Sequence, residues 1–114
     1  MEQQALLYRQ LDKKERLRDM YEFLRWLLRI NKGNVIKVST KQYNRWPGGY
    51  APLGPPDAVV FNRLFAELKK KYGIRAKEKY VVKRGKYTRH RHWLVRRSQL
   101  EKLVKLLGEE LTYY

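Results

Sequence analysis

Five cations, Lys83, Arg84, Lys86, Arg89 and Arg91, crowd around the short segment Arg84-Gly85-Lys86, a density of positive charge that no fold requires. Such side chains bind phosphates, and each phosphate they neutralise releases condensed counterions. Tyr87 beside them can stack on a sugar or a base, or pair with a cross-strand neighbour. The run Lys69-Lys70-Lys71 and the pair Lys41 and Arg45 offer further phosphate contacts or a plain solvated surface.

A second set is defined by spacing. On a helical wheel, Val59, Asn62, Arg63, Ala66 and Lys70 fall opposite an apolar face of Val60, Leu64 and Leu68. Arg63 has the bidentate donor geometry for a guanine edge and Asn62 the donor and acceptor pair for adenine. Val59 and Ala66 are small enough to meet a thymine methyl. The competing reading is a solvated helix face.

Three other constellations point to different chemistry. His90 and His92 share one face of a strand, a spacing that can chelate a metal. With no Cys and only Glu78 acidic in that block, no third ligand completes the site, so neither a metal nor a cofactor is expected. Glu15, Asp19 and Glu22 lie on one helical stripe, and grouped carboxylates can hold Mg²⁺ for phosphodiester cleavage. Their basic neighbours, as in Glu15 to Arg18 and Glu22 to Arg25, favour a salt-bridged exposed face, and no catalytic residue is assigned. Tyr43, Trp46 and Tyr50 can stack unpaired bases. Aromatics so placed more often build a core, with Trp46 anchoring the following loop over the first helix.

Composition limits the field in the same direction. The chain has 114 residues with 27 Lys+Arg against 11 Asp+Glu, a net charge of +16. Its 43% hydrophobic and 13% aromatic content suits one domain over residues 1–114 and excludes a wholly disordered basic tail. No run reaches the length of a membrane span, and Met1-Glu2-Gln3-Gln4 lacks the order of a secretory signal, so a cytoplasmic setting with no membrane partner is expected. More than half of the excess charge falls in residues 75–97, which carry 10 basic side chains and one acidic. A polyanion is the partner such a balance implies, nucleic acid before an anionic membrane surface.

These side chains need elements to position them. Leu17, Met20, Tyr21, Leu24, Leu27 and Leu28 recur at helical steps up to Gly33. Leu6, Leu7 and Leu11 extend the stripe upstream, so a continuous helix with residues 1–12 as an N-terminal extension is favoured over a fresh start capped by Asp12 with Glu15. Val35-Ile36-Lys37-Val38 suits a brief strand. Ser39 with Gln42 forms a capping box for a short helix that Pro47 stops, and a Pro/Gly-rich loop runs to Pro56. A helix from Pro56-Asp57 carries Val60, Phe61, Leu64, Phe65, Leu68 and Tyr72 and closes at Gly73-Ile74 in a Schellman ending. Alternation over Ala76 to Lys83 and Tyr87 to Arg96 predicts a hairpin. Ser98-Gln99-Leu100-Glu101 reads as the capping box of a last helix over 98–112.

The order helix, strand, short helix, helix, basic hairpin, helix resembles the winged helix-turn-helix family of DNA-binding proteins over about residues 13–111. The resemblance implies an α+β, mainly helical fold with a long N-terminal helix, a basic β-hairpin wing and a C-terminal helix. It further implies that the third helix enters the major groove of double-stranded DNA through Val59, Asn62, Arg63, Ala66 and Lys70. The wing and its flanks, Lys41, Arg45, Lys69, Lys83, Arg84, Lys86, Tyr87, Arg89 and Arg91, would then hold the backbone. The expected function is sequence-specific DNA binding by a small transcriptional regulator without catalysis. A small RNA-binding protein of ribosomal or ribonucleoprotein type is the rival. The stripe Leu100, Leu103, Val104, Leu107 and Leu111, with Leu6, Leu7 and Leu11, leads to the expectation of a homodimer through the terminal helices.

Overall fold

The computed structural model describes residues 12–48, 58–83 and 86–113, with the side chains at 58, 59, 80–83 and 86–91 also outside the described part. Its elements run α1 (Lys13–Ile30), β1 (Val35–Ser39), α2 (Thr40–Arg45), α3 (Ala58–Lys71), β2 (Ala76–Lys83), β3 (Lys86–Arg96) and α4 (Arg97–Thr112). This is an α+β fold, mainly helical, with one small antiparallel sheet in the order β1-β3-β2.

Helix α1 begins afresh: the Asp12 side chain accepts a hydrogen bond from the Glu15 amide at 2.8 Å, and Asp12 itself is extended. The continuous helix favoured by the upstream leucines is therefore interrupted at Asp12, because a carboxylate that satisfies a first-turn amide stabilises a start there. Residues 1–11, with Leu6, Leu7 and Leu11, lie outside the described residues. Leu17, Met20, Phe23, Leu24 and Leu27 of α1 are buried, while Tyr21 and Leu28 are only half-buried at the rim. Phe23, which the helical stripe leaves unmarked, is the hub: its ring centroid lies 5.2 Å from Tyr43, 5.8 Å from Trp46 and 5.9 Å from Phe61. Three elements thus meet on one aromatic side chain, at spacings suited to edge-to-face packing.

Ser39 caps α2 as expected, accepting from the Gln42 amide at 3.1 Å. Gly73 takes φ +63°, the Ile74 amide donates to the Lys69 carbonyl at 2.9 Å, and Ile74 folds into the core. That is the Schellman ending, and glycine is favoured because the left-handed conformation costs an L side chain roughly 1–2 kcal/mol.

The start of α4 differs from expectation. Ser98 lies inside the helix, and Arg96 at the N-cap makes no side-chain capping bond. Strand β3 runs directly into α4, and the Arg97 amide donates to the Asn34 carbonyl at 2.7 Å, so the turn is tied to β1. Gln99 is drawn elsewhere, accepting from the Arg75 amide at 2.9 Å. The Arg97 guanidinium donates through Nε to the Gly33 carbonyl at 3.1 Å, through Nη1 to Leu28 at 3.1 Å, and through Nη2 to Asn31. A cation on the last carbonyls of α1 satisfies acceptors the helix itself leaves open and opposes the negative end of its dipole.

Helix α4 packs along α1 with Leu100, Leu103 and Leu107 fully buried. Gly108 permits the close approach, since a Cβ there would stand 2.9 Å from Cε1 of Tyr21. Three of the five stripe residues of α4 are therefore covered within the chain, while Val104 and Leu111 stay half-buried at its edge. No helix among the described residues is long and apolar enough to cross a membrane.

Candidate nucleic-acid interface

Helices α2 and α3 are locked at Tyr43 and Phe61, whose ring centroids are 5.5 Å apart. With Phe61, Phe65, Leu64 and Leu68 turned inward, α3 leaves Arg63, Glu67, Lys70 and Lys71 exposed. Lys41, Asn44 and Arg45 are exposed on α2, four residues separating the two cations so that they share a helix face. Arg63, Lys70, Lys41 and Arg45 thus stand in water, ready to meet an anion.

Asn62 does not join them. It is 6% exposed and its Oδ1 accepts a hydrogen bond from the indole Nε1 of Trp93 at 3.3 Å. The buried face of α3 is centred on Phe61 and Phe65 rather than on Val60 and Leu64, which rotates Asn62 toward the sheet. The Trp93 N–H, itself in the core, needs an acceptor there. Asn62 is therefore a core residue and not a base-contacting one. Ala66 is half-buried against the same core, so it too is largely withdrawn from the exposed face. The side chain of Val59 is outside the described residues.

Lys69 also turns to the sheet. Its Nζ lies 5.8 Å from the centroid of the Trp93 ring, within range of a cation–π attraction, and the residue is half-buried. Lys71 pairs with Glu110 of α4, whose other carboxylate oxygen accepts from the Tyr72 hydroxyl at 2.8 Å. Within the run Lys69-Lys70-Lys71, only Lys70 has no partner among the described residues.

The hairpin carries the densest charge. Strands β2 and β3 pair from Ala76↔Val95 to Lys83↔Lys86, with a register shift between Val81 and Lys83. The backbones of Lys83, Lys86, Tyr87, Arg89 and Arg91 are strand, while their side chains, and Arg84 altogether, lie outside the described residues. His90 pairs with Val81 and His92 with Lys79. Among the described residues no three His, Cys, Asp or Glu side chains gather as a metal site.

The acidic stripe of α1 is broken up. Glu22 pairs with Arg25 at 3.5 Å, as its spacing predicts. Asp19, expected on the same exposed face, is 6% exposed and accepts a hydrogen bond from the buried Tyr43 hydroxyl. Burial of a carboxylate requires such donors, and α2 supplies one across the core. Tyr43 and Trp46 are both core residues, at 0% and 8% exposure, so neither ring is open to a base. Tyr50 lies outside the described residues.

Two features of the face were not singled out in the sequence. Glu67 brings a negative charge beside Arg63 and Lys70, and the wheel that placed Arg63 there could have shown it. The Trp93 indole, which takes Asn62 away, gave no local signal. No family model, curated protein or solved structure matches the chain.

Proposed function

We propose that this chain is a winged-helix protein that binds double-stranded DNA, a small transcriptional regulator acting in the cytoplasm by occupancy and without catalysis. The observation that carries the reading is the exposure of Arg63 and Lys70 on α3, which leads directly into a hairpin region with 10 basic residues and one acidic between 75 and 97. The element order supports it, since the resemblance to winged helix-turn-helix proteins rests on that order.

The burial of Asn62 and the retreat of Ala66 narrow base readout to Arg63, with Glu67 able to accept from a cytosine amino group. Affinity on this reading comes mainly from phosphates, held by Lys41, Arg45, Lys70 and the hairpin cations. Burial of Tyr43 and Trp46 withdraws two of the three aromatics, Tyr50 being the third, that favoured an RNA-binding ribonucleoprotein. A homodimer on this reading would use the segment with Leu6, Leu7 and Leu11 and the half-buried edge of α4 at Val104 and Leu111, since Leu100, Leu103 and Leu107 are already in the core.

Filter binding of duplex DNA, single-stranded DNA and structured RNA at matched salt tests the reading. With about six phosphates neutralised, duplex affinity should fall on the order of 10³-fold between 50 and 200 mM salt. Preference for single-stranded or structured RNA, or a salt-insensitive complex, would sink the duplex reading.

A further inference from the structure

The sheet has a second face that the proposed duplex contact does not use. Its inner side buries Ile36, Val38, Trp93 and Val95 under the helices. Period-two alternation sends the intervening residues outward. In register these outer rows are Val35 with Arg96, then Lys37 with Leu94 and Lys77, then His92 with Lys79, where the β1 partner Ser39 is buried at the cap of α2. Lys37, Lys77, Lys79 and Arg96 are exposed, and none forms an ion pair among the described residues. No described residue on these outer rows is acidic, because Glu78 pairs with Trp93 in an inner row.

This face is more one-sided than folding requires. Lysines on the edge strands β1 and β2 would discourage edge-to-edge pairing, but charges of either sign serve that purpose. Like charges gathered on one sheet face oppose each other. Lys77 and Lys79 stand about 6.6 Å apart along β2, and Lys37 about 9.6 Å across the sheet from Lys77, on standard strand geometry. Among the described residues the face has no stripe of large apolar side chains to enter a membrane: Leu94 is half-buried and Val35 stands at the end. A row of separated point charges on a flat surface fits a phosphate backbone.

Its direction decides which backbone. Helix α3 lies against the inner face, through Phe65 at 5.3 Å from Trp93 and through Asn62, while Arg63 and Lys70 turn away from that contact. The outer lysines are on the far side of the sheet, where a duplex seated on α3 does not reach. We infer that the outer sheet face, through Lys37, Lys77 and Lys79, binds the phosphate backbone of a second DNA duplex, so that one protein copy bridges two segments. This inference rests on the duplex reading above and adds a separate site to it.

A two-duplex capture assay tests it with the full chain. One unlabelled duplex is fixed to a surface, a fluorescent second duplex is added, and its retention is read with and without protein, alongside solution affinity for a single duplex. The triple variant Lys37→Gln, Lys77→Gln, Lys79→Gln should hold the single duplex within about twofold of the unsubstituted chain. It should lose capture of the second at least about tenfold, with the salt slope of capture falling by about 0.9 for each phosphate no longer neutralised. The matching Lys→Arg triple variant, which keeps the charges, should retain capture, and thermal melts of both variants report whether the sheet is intact. If the Gln variant melts early, the Arg variant with the single substitutions Lys37→Gln and Lys79→Gln carries the comparison.

Unchanged capture by the Gln variant overturns the inference, and so does bridging by two protein copies each holding one duplex on α3, which survives that substitution. An equal loss of single-duplex affinity places these lysines in the first site and also overturns it. Binding of one duplex with no capture of a second refutes the inference alone. Absence of any duplex binding refutes the proposed function with it.

Discussion

The Asn62 side chain accepts the Trp93 indole N–H at 3.3 Å, both residues being buried between α3 and the sheet. The rotation that buries Phe61 and Phe65 of α3 also brings Asn62 to this indole and leaves Arg63 and Lys70 facing water. Replacing Asn62 by Ala removes this buried hydrogen bond, which should cost about 1–3 kcal/mol. Urea denaturation measures it, and duplex affinity of the folded Asn62→Ala chain should stay within about twofold. A large, sequence-dependent loss of affinity with unchanged stability would return Asn62 to the DNA.

Arg63 and Arg84 should differ in kind. Arg63→Ala is expected to cost roughly 1–3 kcal/mol on the best site and little on random duplex, as removal of a bidentate hydrogen-bond pair to a base does. Arg84→Ala should weaken every sequence alike and lower the salt slope by about 0.9. Competition titrations against specific and random duplexes separate the two. Equal weakening of all sequences by Arg63→Ala would mean that α3 reads no base.

Glu67 shares the exposed face with Arg63, so its carboxylate repels the backbone at any site. Glu67→Gln should tighten binding to random duplex a few-fold at low salt, with the difference fading as salt screens it. The same titrations show it, and weaker binding to random duplex would place Glu67 away from the phosphates.

Leu107 is fully buried beneath α1. Leu107→Ala should destabilise the fold by about 2–5 kcal/mol through reduced burial and the cavity left behind. Sedimentation equilibrium should give the same assembly state for this variant as for the unsubstituted chain. A dimer that Leu107→Ala dissolves without loss of stability would reassign the residue to a subunit interface.

Arg97 ties β3 and α4 to the end of α1 through the carbonyls of Gly33, Leu28 and Asn31. Arg97→Ala should cost about 1.5–3 kcal/mol in chemical denaturation. Arg97→Lys should recover only a small part of it, because one ammonium cannot reach three carbonyls set for a planar fork. Full recovery with Lys would reduce the role of Arg97 to its charge.

Much of this architecture was legible because its signals are local. The leucine periodicity of α1 and α4, the Ser39 cap, the Gly73-Ile74 ending and the alternation of β2 and β3 each depend on residues a few positions apart. The charge concentrated in residues 75–97 needed only counting. At Asp12, too, the chain held both readings, and a single capping bond decided between them.

Local order along the chain settles which segments are helix or strand and where the charge lies, since backbone hydrogen bonding and side-chain periodicity act over a few residues. Which polar residues go inside depends on partners that folding brings together from distant positions. Asn62 and Asp19 are buried because Trp93 and Tyr43, 31 and 24 residues away, bring an N–H and an O–H that the core must satisfy. Ser98 lost its capping role because β3 continues straight into α4, and Leu107 found its cover on α1 rather than on a second chain. The two cationic faces, one on α3 and one on the sheet, likewise exist only once register and packing have turned their residues in opposite directions.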